Sequence, residues 1–349
     1  MSAPSFRIER STPESKVALG LGIVALIALA AGPWWIDRNG MRIVGEFLVY
    51  LSLASMWNLL AGYAGLVSVG QQAYVGFGGY FLFAWAVLGG LPPLLSVPFA
   101  GLAAAVLALP ISALVFRLKG AYFAIGTWVV AEVFLLLAAQ VTVLGGGSGI
   151  SLPIDVVRAI GASRDARDMN VYWSTLGIAV AILIGIYILL RSRWGLALQA
   201  IRDGELAAET TGVSVAGAKR LLYVVASAGT AMIGALIFLA KLRISPNAAF
   251  SVNDWTAFVI FITVIGGIGR IEGPIIGTLL YFALRSALAD LGAIYLIVLG
   301  CVAVVVMLFA PKGLWGLVAD RFGWQLFPTT CRLVLTQPSS QTSPSLKGE

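Results

Sequence analysis

Few side chains of this chain could do chemistry, because only 11% of its 349 residues are charged and none is histidine. Without histidine there is no imidazole metal ligand, no histidine proton relay and no histidine-based catalytic triad. The two cysteines, Cys301 and Cys331, support neither a disulfide framework nor a metal site. No Gly-Lys dipeptide occurs, so the chain has no Walker A phosphate loop. We therefore expect a protein that is not an enzyme and uses no cofactor.

Many of the charged residues lie in one segment, residues 191–220, which we call the charged segment. Its sequence, RSRWGLALQAIRDGELAAETTGVSVAGAKR, separates two long apolar stretches. We expect one short helix over 195–202 and a second over 205–211. Asp203 can cap the free N–H groups of the second helix, and Gly212 suits its carboxyl end.

The charged segment is amphipathic. Arg202, Glu205 and Glu209 lie beside apolar residues that are too many for a solvated loop, namely Leu196, Leu198, Ala200, Ile201, Leu206, Ala207 and Ala208. Such an element could insert into a groove of a partner protein. The alternative is a helix resting on lipid, but anionic lipids attract lysine-rich faces, and the acidic residues argue against it. The pattern favours a docking surface for a partner.

A second group of polar residues lies within apolar stretches. Between residues 62 and 79, six glycines accompany Ser68, Gln71 and Gln72. Glycines allow membrane helices to pack closely. Alternatively, the segment is broken or re-entrant, and its free backbone groups and glutamines line a polar pathway. We favour packing for the glycines and a pathway for the glutamines, because two adjacent amides are costly in lipid.

Glu132 lies near the middle of an apolar stretch, with Thr127 upstream. An ionisable group there is costly and usually faces the interior of the bundle or a water-filled cavity. Glu132 could line or gate a pathway, or it could be a protonated or hydrogen-bonded glutamate within the helix packing. The sequence leaves the two alternatives equally open.

The elements that must position these residues are membrane helices. The chain is 59% hydrophobic, and it contains repeated runs of about 20 apolar residues, the length that crosses a bilayer. We expect an all-α, polytopic transmembrane bundle of eight to ten spans with a short cytoplasmic coupling helix. The apolar stretches cover residues 17–36, 43–61, 66–89, 94–116, 121–143, 171–190, 220–240, 255–268, 274–289 and 293–310.

The distribution of basic residues predicts the orientation. With ten spans and the amino terminus inside, about 15 lysines and arginines lie in inner segments and about 8 in outer ones, as the positive-inside rule requires. The charged segment is then cytoplasmic. We expect a basic cytoplasmic segment over 1–16, a membrane domain over 17–312 with an external loop over 144–170, and a largely disordered cytoplasmic tail over 313–349.

The first apolar stretch has a second interpretation. Basic residues, a short apolar run and Ala28-Leu29-Ala30 are also typical of a signal peptide with a small-residue cleavage site. The apolar run continues past that site to Trp34 and Trp35, which suit a membrane interface. A retained anchor is therefore favoured over a cleaved signal.

Four stretches carry a resemblance to a known family, and with the arrangement of spans it covers about residues 40–312. They are GLALQAIRDGELAAETTGV (195–213), WNLLAGYAGLVSVGQQAYVGFGGY (57–80), FRLKGAYFAIGTWVVAEV (116–133) and VIGGIGRIEGPIIGTLL (264–280). In this order they resemble ABC-importer permeases, in particular the family that includes branched-chain amino-acid permeases. The chain departs from that family at Gln71-Gln72-Ala73. The family usually has Gly-His or Gly-Gln followed by a small residue, and this chain has the bulkier, polar Gln72 instead.

The resemblance implies a membrane subunit of the bacterial inner membrane that takes up a small amino acid, most simply a branched-chain one. It also implies three kinds of partner: a second related permease subunit, two cytoplasmic ATP-binding subunits and an extracytoplasmic binding protein. ATP-driven closure would act on the charged segment, with coupling residues Arg202, Asp203, Glu205, Ala208, Glu209 and Gly212. Ser68, Gln71, Gln72, Thr127 and Glu132 would line the translocation pathway.

Two alternatives stay open. The same architecture could carry urea, short amides, aromatic acids or sugars. A secondary transporter driven by an ion gradient would need several carboxylates within its helices. This chain offers only Glu132, with Glu46 near the end of a span.

Overall fold

Helices build most of the chain that the structure describes. The computed structural model describes residues 5–9, 13–288, 292, 294–310, 312–322, 326–327 and 332–336. The helices are α1 Pro13–Ala30, α2 Gly32–Trp35, α3 Arg38–Asn58, α4 Gln71–Phe83, α5 Ser96–Val115, α6 Ala121–Gln140, α7 Ile154–Ile160, α8 Arg164–Arg191, α9 Arg193–Asp203, α10 Glu205–Thr210, α11 Val215–Lys241, α12 Pro246–Ala249, α13 Phe258–Gly266, α14 Glu272–Ala287, α15 Ile294–Phe309 and α16 Gly313–Phe322. The strands are β1 Ser5–Glu9, β2 Ile150–Ser151, β3 Arg243–Ile244 and β4 Arg332–Thr336.

The expected all-α membrane bundle is confirmed. Within the described residues, seven helical segments are long and apolar enough to cross a membrane by length and composition. They are Arg38–Tyr63, Pro93–Val115, Ala121–Gln140, Arg164–Arg191, Val215–Lys241, Pro246–Gly266 and Leu296–Ala319.

Three of the expected spans are shorter helices in the structure. The first apolar stretch contains the helix Val17–Ala30, which is below the length of a full span. The stretch 66–89 is shortened because residues 65–70 are not helical and α4 begins only at Gln71. The stretch 274–289 corresponds to α14, which has 16 residues. As expected from Pro274, a turn over 267–271 separates α13 from α14.

The centre of the bundle is α11, which contacts α3, α4, α5 and α8. Small residues allow this close packing. A Cβ added to Gly78 of α4 would lie 2.0 Å from the carbonyl oxygen of Ala231, and one added to Gly234 of α11 would lie 2.2 Å from that of Val75. The glycines of α4 therefore act in helix packing, in agreement with one of the two interpretations of the glycine-rich stretch.

One end of the bundle gathers the segments that we expected outside. Arg38, at the start of α3, forms ion pairs with Asp165 and Asp168 at the start of α8. Strand β2, within the expected external loop, pairs antiparallel with β3, which follows α11. Ser163 caps α8 through a hydrogen bond from the Ala166 N–H to its Oγ, 3.1 Å long. The first turns of α8 thus form the end of the loop 144–170.

The chain from Gly313 onward differs from the expectation of a largely disordered tail. It begins with α16, whose Trp315 and Ala319 are buried and which contacts α13 and α14. This helix has an apolar face that needs a partner, and the apolar helices of the bundle supply one. Strand β4 pairs antiparallel with β1 near the amino terminus. Most of the rest of the tail, including 337–349, lies outside the described residues.

Candidate functional site

The charged segment forms the two expected helices. Helix α9 starts after Ser192, whose Oγ accepts a hydrogen bond from the Trp194 N–H over 3.2 Å. Helix α10 ends at Thr210, and Gly212 follows with φ +84°, a value that favours glycine. The expectation that Asp203 caps α10 is not met at the N-cap position. That position is occupied by Gly204, which has no side chain to cap the helix. Asp203 is the last residue of α9, and its side chain lies outside what the structure describes.

The α9–α10 pair has one buried and one exposed face. Leu198, Ile201 and Ala208 are 1%, 4% and 2% exposed and hold the pair on the bundle. On the other face Leu196 is 64% and Leu206 82% exposed. Glu209 is also exposed. The apolar residues of the charged segment therefore have two roles. Some anchor the pair on the bundle, and the others form an exposed apolar surface beside acidic side chains.

Glu205 connects α10 to the central helix α11. Its Oε1 lies 2.5 Å from Nζ of Lys219, which is only 16% exposed at its side chain. Glu205 itself is 58% exposed, so the pair is open to solvent on one side and adds little stability. The pair connects α10 to the amino-terminal end of α11.

Arg202 connects α9 to a second part of the membrane domain. A Cβ added to Gly269 would lie 3.1 Å from Nη1 of Arg202, and also 3.1 Å from the carbonyl oxygen of Gly62. The side chain of Asn58 binds the same turn on both sides: its Oδ1 accepts from the Gly269 N–H and its Nδ2 donates to the Arg270 carbonyl, each over 2.8 Å. We call Asn58, Gly62, Gly269 and Arg270 the Asn58 junction.

The helix that begins at Arg38 is broken within the membrane domain. It continues as a π-helix, Leu59–Tyr63, and then loses its helical form until Gln71 begins α4. Gly65 adopts φ +67°, which lets the chain turn at this point. The broken arrangement that the glycines and glutamines suggested is thus present, in addition to the close packing in α4.

Polar groups meet at the break, around a cavity of about 10 Å³, which is room for about one water molecule. Gln71 Nε2 donates to the Leu53 carbonyl over 2.9 Å and to Thr230 Oγ1 over 3.3 Å. Gln71 Oε1 is buried and has no hydrogen-bond partner among the residues that the structure describes. The polar lining consists of Ser68, Gln71, Tyr74, Tyr223, Ser227 and Thr230. The wall is neutral and rich in hydroxyl groups.

Thr127 joins the break to α6. Its Oγ1 accepts a hydrogen bond from the Val69 N–H over 3.1 Å. A Cβ added to Gly70 would lie 2.1 Å from the Thr127 carbonyl oxygen. Thr127 therefore holds the non-helical segment in place and does not line the cavity itself.

Gln72 is separate from the cavity. It is fully buried, its side-chain oxygen accepts a hydrogen bond from the Thr256 hydroxyl, and its backbone N–H donates to the same hydroxyl over 3.3 Å. These contacts fix α4 against the π-helical turn Asn253–Ala257. The expectation that both adjacent glutamines face one pathway is therefore not met: Gln71 faces the cavity and Gln72 packs against Thr256.

Glu132 does not face the interior of this chain. It is exposed on α6, and its Oε1 accepts a hydrogen bond of 3.0 Å from Nε1 of Trp128, one turn earlier. The expectation of an inward-facing carboxylate is wrong for the chain taken alone. The physical reason is that α6 turns only a narrow face, including Thr127 and Ala131, toward α4.

Several residues of these sites were missed in the sequence. Asn58 is an amide in an apolar stretch, the same signal that marked Gln71, and it could have been found in that way. Lys219 is one of several basic residues of the charged segment, and nothing in the sequence distinguishes it from the others. Tyr74, Tyr223, Ser227 and Thr230 join the cavity from two helices far apart in sequence, and no local pattern marks them.

Comparison with known proteins agrees with this architecture. The model of the family described as branched-chain amino acid transport system / permease component matches residues 40–311. The chain belongs to this family. It is 28% identical over 340 residues to the high-affinity branched-chain amino acid transport system permease protein LivM of Escherichia coli K12, covering 90% of this chain and 79% of that protein.

Two further relatives carry similar descriptions. The LivM protein of Salmonella typhimurium LT2 is 27% identical over 339 residues, again 90% of this chain and 79% of the relative. The probable LivM protein of Methanocaldococcus jannaschii is 25% identical over 293 residues, 77% of this chain and 82% of the relative. No solved structure matches the chain. Family membership and the seven apolar helical segments together make this a multi-pass membrane protein with a role in transport.

Proposed function

We propose that this chain is the permease subunit of an ATP-driven importer that passes a branched-chain amino acid from an extracytoplasmic binding protein into the cytoplasm by alternating access. The observation that carries the proposal is the exposed α9–α10 pair in a member of the branched-chain amino-acid permease family. The pair is anchored on one side and apolar on the other, which suits docking into a groove of an ATP-binding subunit. The chain itself hydrolyses nothing in this scheme.

The amino terminus and the charged segment are cytoplasmic in this proposal, and the membrane is the bacterial inner membrane. The count of basic residues supports this orientation. The transporter would contain a second related permease, two ATP-binding subunits and the binding protein. Arg202, Asp203, Glu205, Glu209 and Gly212 form the coupling surface. Ala208, the sixth residue expected there, is 2% exposed and instead anchors the α9–α10 pair on the bundle.

The coupling surface has two routes to the broken helix. Glu205 contacts α11 through Lys219, and α11 supplies Tyr223 and Thr230 to the cavity. Arg202 contacts the Asn58 junction, which lies at the end of α3 just before the break. Closure of the ATP-binding subunits would move α9 and α10 and thereby shift both α11 and the break.

The cavity at the break would be part of the translocation pathway in a closed state. Discontinuous membrane helices are a usual place for transport sites, because their free backbone groups can face a polar path. Ser68 and Gln71 supply the polar wall, and Thr127 holds the break in position. A neutral wall suits a zwitterionic amino acid, whose own charges cancel.

The test is ATP-dependent uptake of radiolabelled leucine by proteoliposomes that contain the complete transporter, combined with co-purification of its ATP-binding subunits. Glu205→Lys should abolish both uptake and co-purification while the permease still inserts. Asp155→Lys places the same charge change on the exposed helix α7 at the other end of the bundle and should leave both intact.

The charge-exchanged variant Glu205→Lys with Lys219→Glu separates docking from orientation. If Glu205 acts only by orienting α10, the exchange restores uptake; if it also contacts the partner, uptake stays low. Full uptake and co-purification in Glu205→Lys alone would remove the coupling assignment. Uptake that runs on an ion gradient without ATP would refute the importer.

A further inference from the structure

Helix α6 presents an exposed stripe with a carboxylate in its middle. Only 17% of the 18-residue apolar stretch of α6 is buried, against 72% of the corresponding stretch of α11. One side of α6 is exposed over its whole length at the positions Tyr122, Ile125, Val129, Glu132, Val133 and Leu136, which we call the α6 stripe. These positions repeat every three or four residues and so lie along one face of the helix.

Glu132 lies deep in this span. It is roughly 16 Å from the first residue of α6 and roughly 12 Å from the last at the usual helical rise. It is also the only charged residue of α6. Among the described contacts, Trp128 is the one hydrogen-bond partner of its side chain, and Trp128 is itself 45% exposed. A carboxylate so placed is costly against hydrocarbon.

Other exposed helices differ in this respect. Helix α5 exposes Leu102, Val106 and Leu109 and contains no charged residue. Helix α15 exposes Val304 and Leu308 and likewise contains none. These faces suit lipid, whereas the α6 stripe suits a protein surface that can complement a carboxylate.

We propose that the α6 stripe is the surface on which the second, related permease subunit packs, and that this subunit places a hydrogen-bond donor or a cation at the depth of Glu132. This inference rests on the importer assembly proposed above. Membrane-buried ionisable groups are usually paired with a neighbour, and the described part of this chain offers Glu132 only Trp128.

A second copy of this chain fits the stripe less well. A two-fold axis along the membrane normal brings residues of equal depth together. The copy would therefore offer the same stripe, in which Trp128 already donates to its own Glu132. Two carboxylates would then face each other, which is unfavourable unless one of them takes up a proton. A different chain can supply the missing donor.

The test is site-specific photo-cross-linking in membranes that contain the complete transporter. A photoreactive amino acid is placed at Val129 or Leu136 on the stripe, and at Leu102 or Val106 on α5 as the matched control. Mass spectrometry identifies each cross-linked chain. We expect the stripe positions to cross-link to a different chain of the permease family and the α5 positions to give at least tenfold less product. Products that join two copies of this chain would overturn the choice of partner. Equal yields from α6 and α5 would refute the α6 stripe as the packing surface.

Variants of Glu132 add a second readout. Glu132→Gln keeps a hydrogen-bonding group and should cross-link from Val129 within about threefold of the unmodified residue. Glu132→Lys places a positive charge against the proposed donor or cation of the partner. It should lower the yield of cross-linked product from Val129 about tenfold at equal amounts of inserted protein. Unchanged yield with Glu132→Lys would remove the proposed pairing. ATP-dependent uptake without stripe cross-links would leave the importer standing and refute only this interface, whereas stripe cross-links without ATP-dependent uptake would refute only the importer.

Discussion

The guanidinium of Arg202 lies against Gly269, so that the surface helix α9 touches the turn between α13 and α14. A Cβ added to Gly269 would come within 3.1 Å of Arg202 Nη1. The same glycine donates its N–H to Asn58, at the end of α3. A movement of α9 would therefore reach the end of α3, just before the break, through the side chains of Arg202 and Asn58 and the turn between them.

A side chain at Gly269 should disturb this contact. Gly269 has φ +78°, where a residue with a Cβ is strained by about 1–2 kcal/mol. In addition, the new side chain of Gly269→Val would displace Arg202. We expect ATP-dependent leucine uptake to fall at least tenfold, measured per inserted permease in proteoliposomes.

Gly90 provides the control for backbone strain alone. Its φ is +61° and a Cβ added there meets nothing within 4 Å. Gly90→Val should therefore share the strain but keep uptake near that of the unmodified chain. If both variants lose uptake equally, strain explains the effect and the contact with Arg202 has no role in transport.

Asn58 should matter for stability as well as for transport. Asn58→Leu keeps the branched shape of the side chain but leaves the Gly269 N–H and the Arg270 carbonyl without this partner. An unsatisfied group of this kind costs about 1–3 kcal/mol when buried. We expect a lower unfolding temperature in detergent and reduced uptake. Asn58→Asp keeps the acceptor for Gly269 and should lose less, so equal losses in the two variants would contradict the proposed geometry.

The charged segment could be predicted from the sequence because its signals are local. Two helix-forming runs meet at Gly204, and Gly212 ends the second run in the left-handed region. The long spans could be predicted in the same way, because a helix needs about 20 apolar residues to cross a bilayer. The turn before α14 followed from Pro274, which cannot continue a preceding helix.

The remaining features depend on contacts between distant parts of the chain. The burial of Gln71 and Gln72 could be expected, but which of them meets Thr230 and which meets Thr256 is decided by the position of α4 between α11 and the π-helical turn Asn253–Ala257. Glu132 is expected inside when the chain is considered alone, because an ionisable group is costly in lipid. A helix whose polar side chain faces a neighbouring subunit has the same sequence pattern as a helix whose polar side chain faces its own bundle.

A bulky residue at Gly212 should block docking without disturbing the bundle. A Cβ added at Gly212 meets nothing within 4 Å, so the side chain of Gly212→Trp would extend from the coupling surface. We expect the variant to insert normally, to lose co-purification of the ATP-binding subunits and to lose uptake. Gly90→Trp carries the same residue at a similar φ, close to the turn Pro93–Leu95 that contacts α7 at the other end of the bundle. It should retain the ATP-binding subunits, and loss of them in both variants would show a general effect on assembly.

Gln71 and Gln72 should give opposite results when each is changed to leucine. Gln71→Leu removes the amide from the cavity wall and the hydrogen bonds to Leu53 and Thr230. We expect uptake per inserted molecule to fall about tenfold, which corresponds to one hydrogen bond of about 1.4 kcal/mol. Its unfolding temperature should change little, because the loss of these hydrogen bonds is offset by the removal of Oε1, which is buried without a hydrogen-bond partner among the described residues.

Gln72→Leu instead leaves the Thr256 hydroxyl without its acceptor in a fully buried place. The expected result is less folded protein and a lower unfolding temperature, with uptake per folded molecule within about threefold of the unmodified chain, since Gln72 does not line the cavity. Both quantities are measured on the same purified preparations, by thermal unfolding in detergent and by leucine uptake after reconstitution. The reverse pattern, in which Gln72→Leu stops transport at full stability and Gln71→Leu does not, would place the pathway on the side of α4 that faces Thr256.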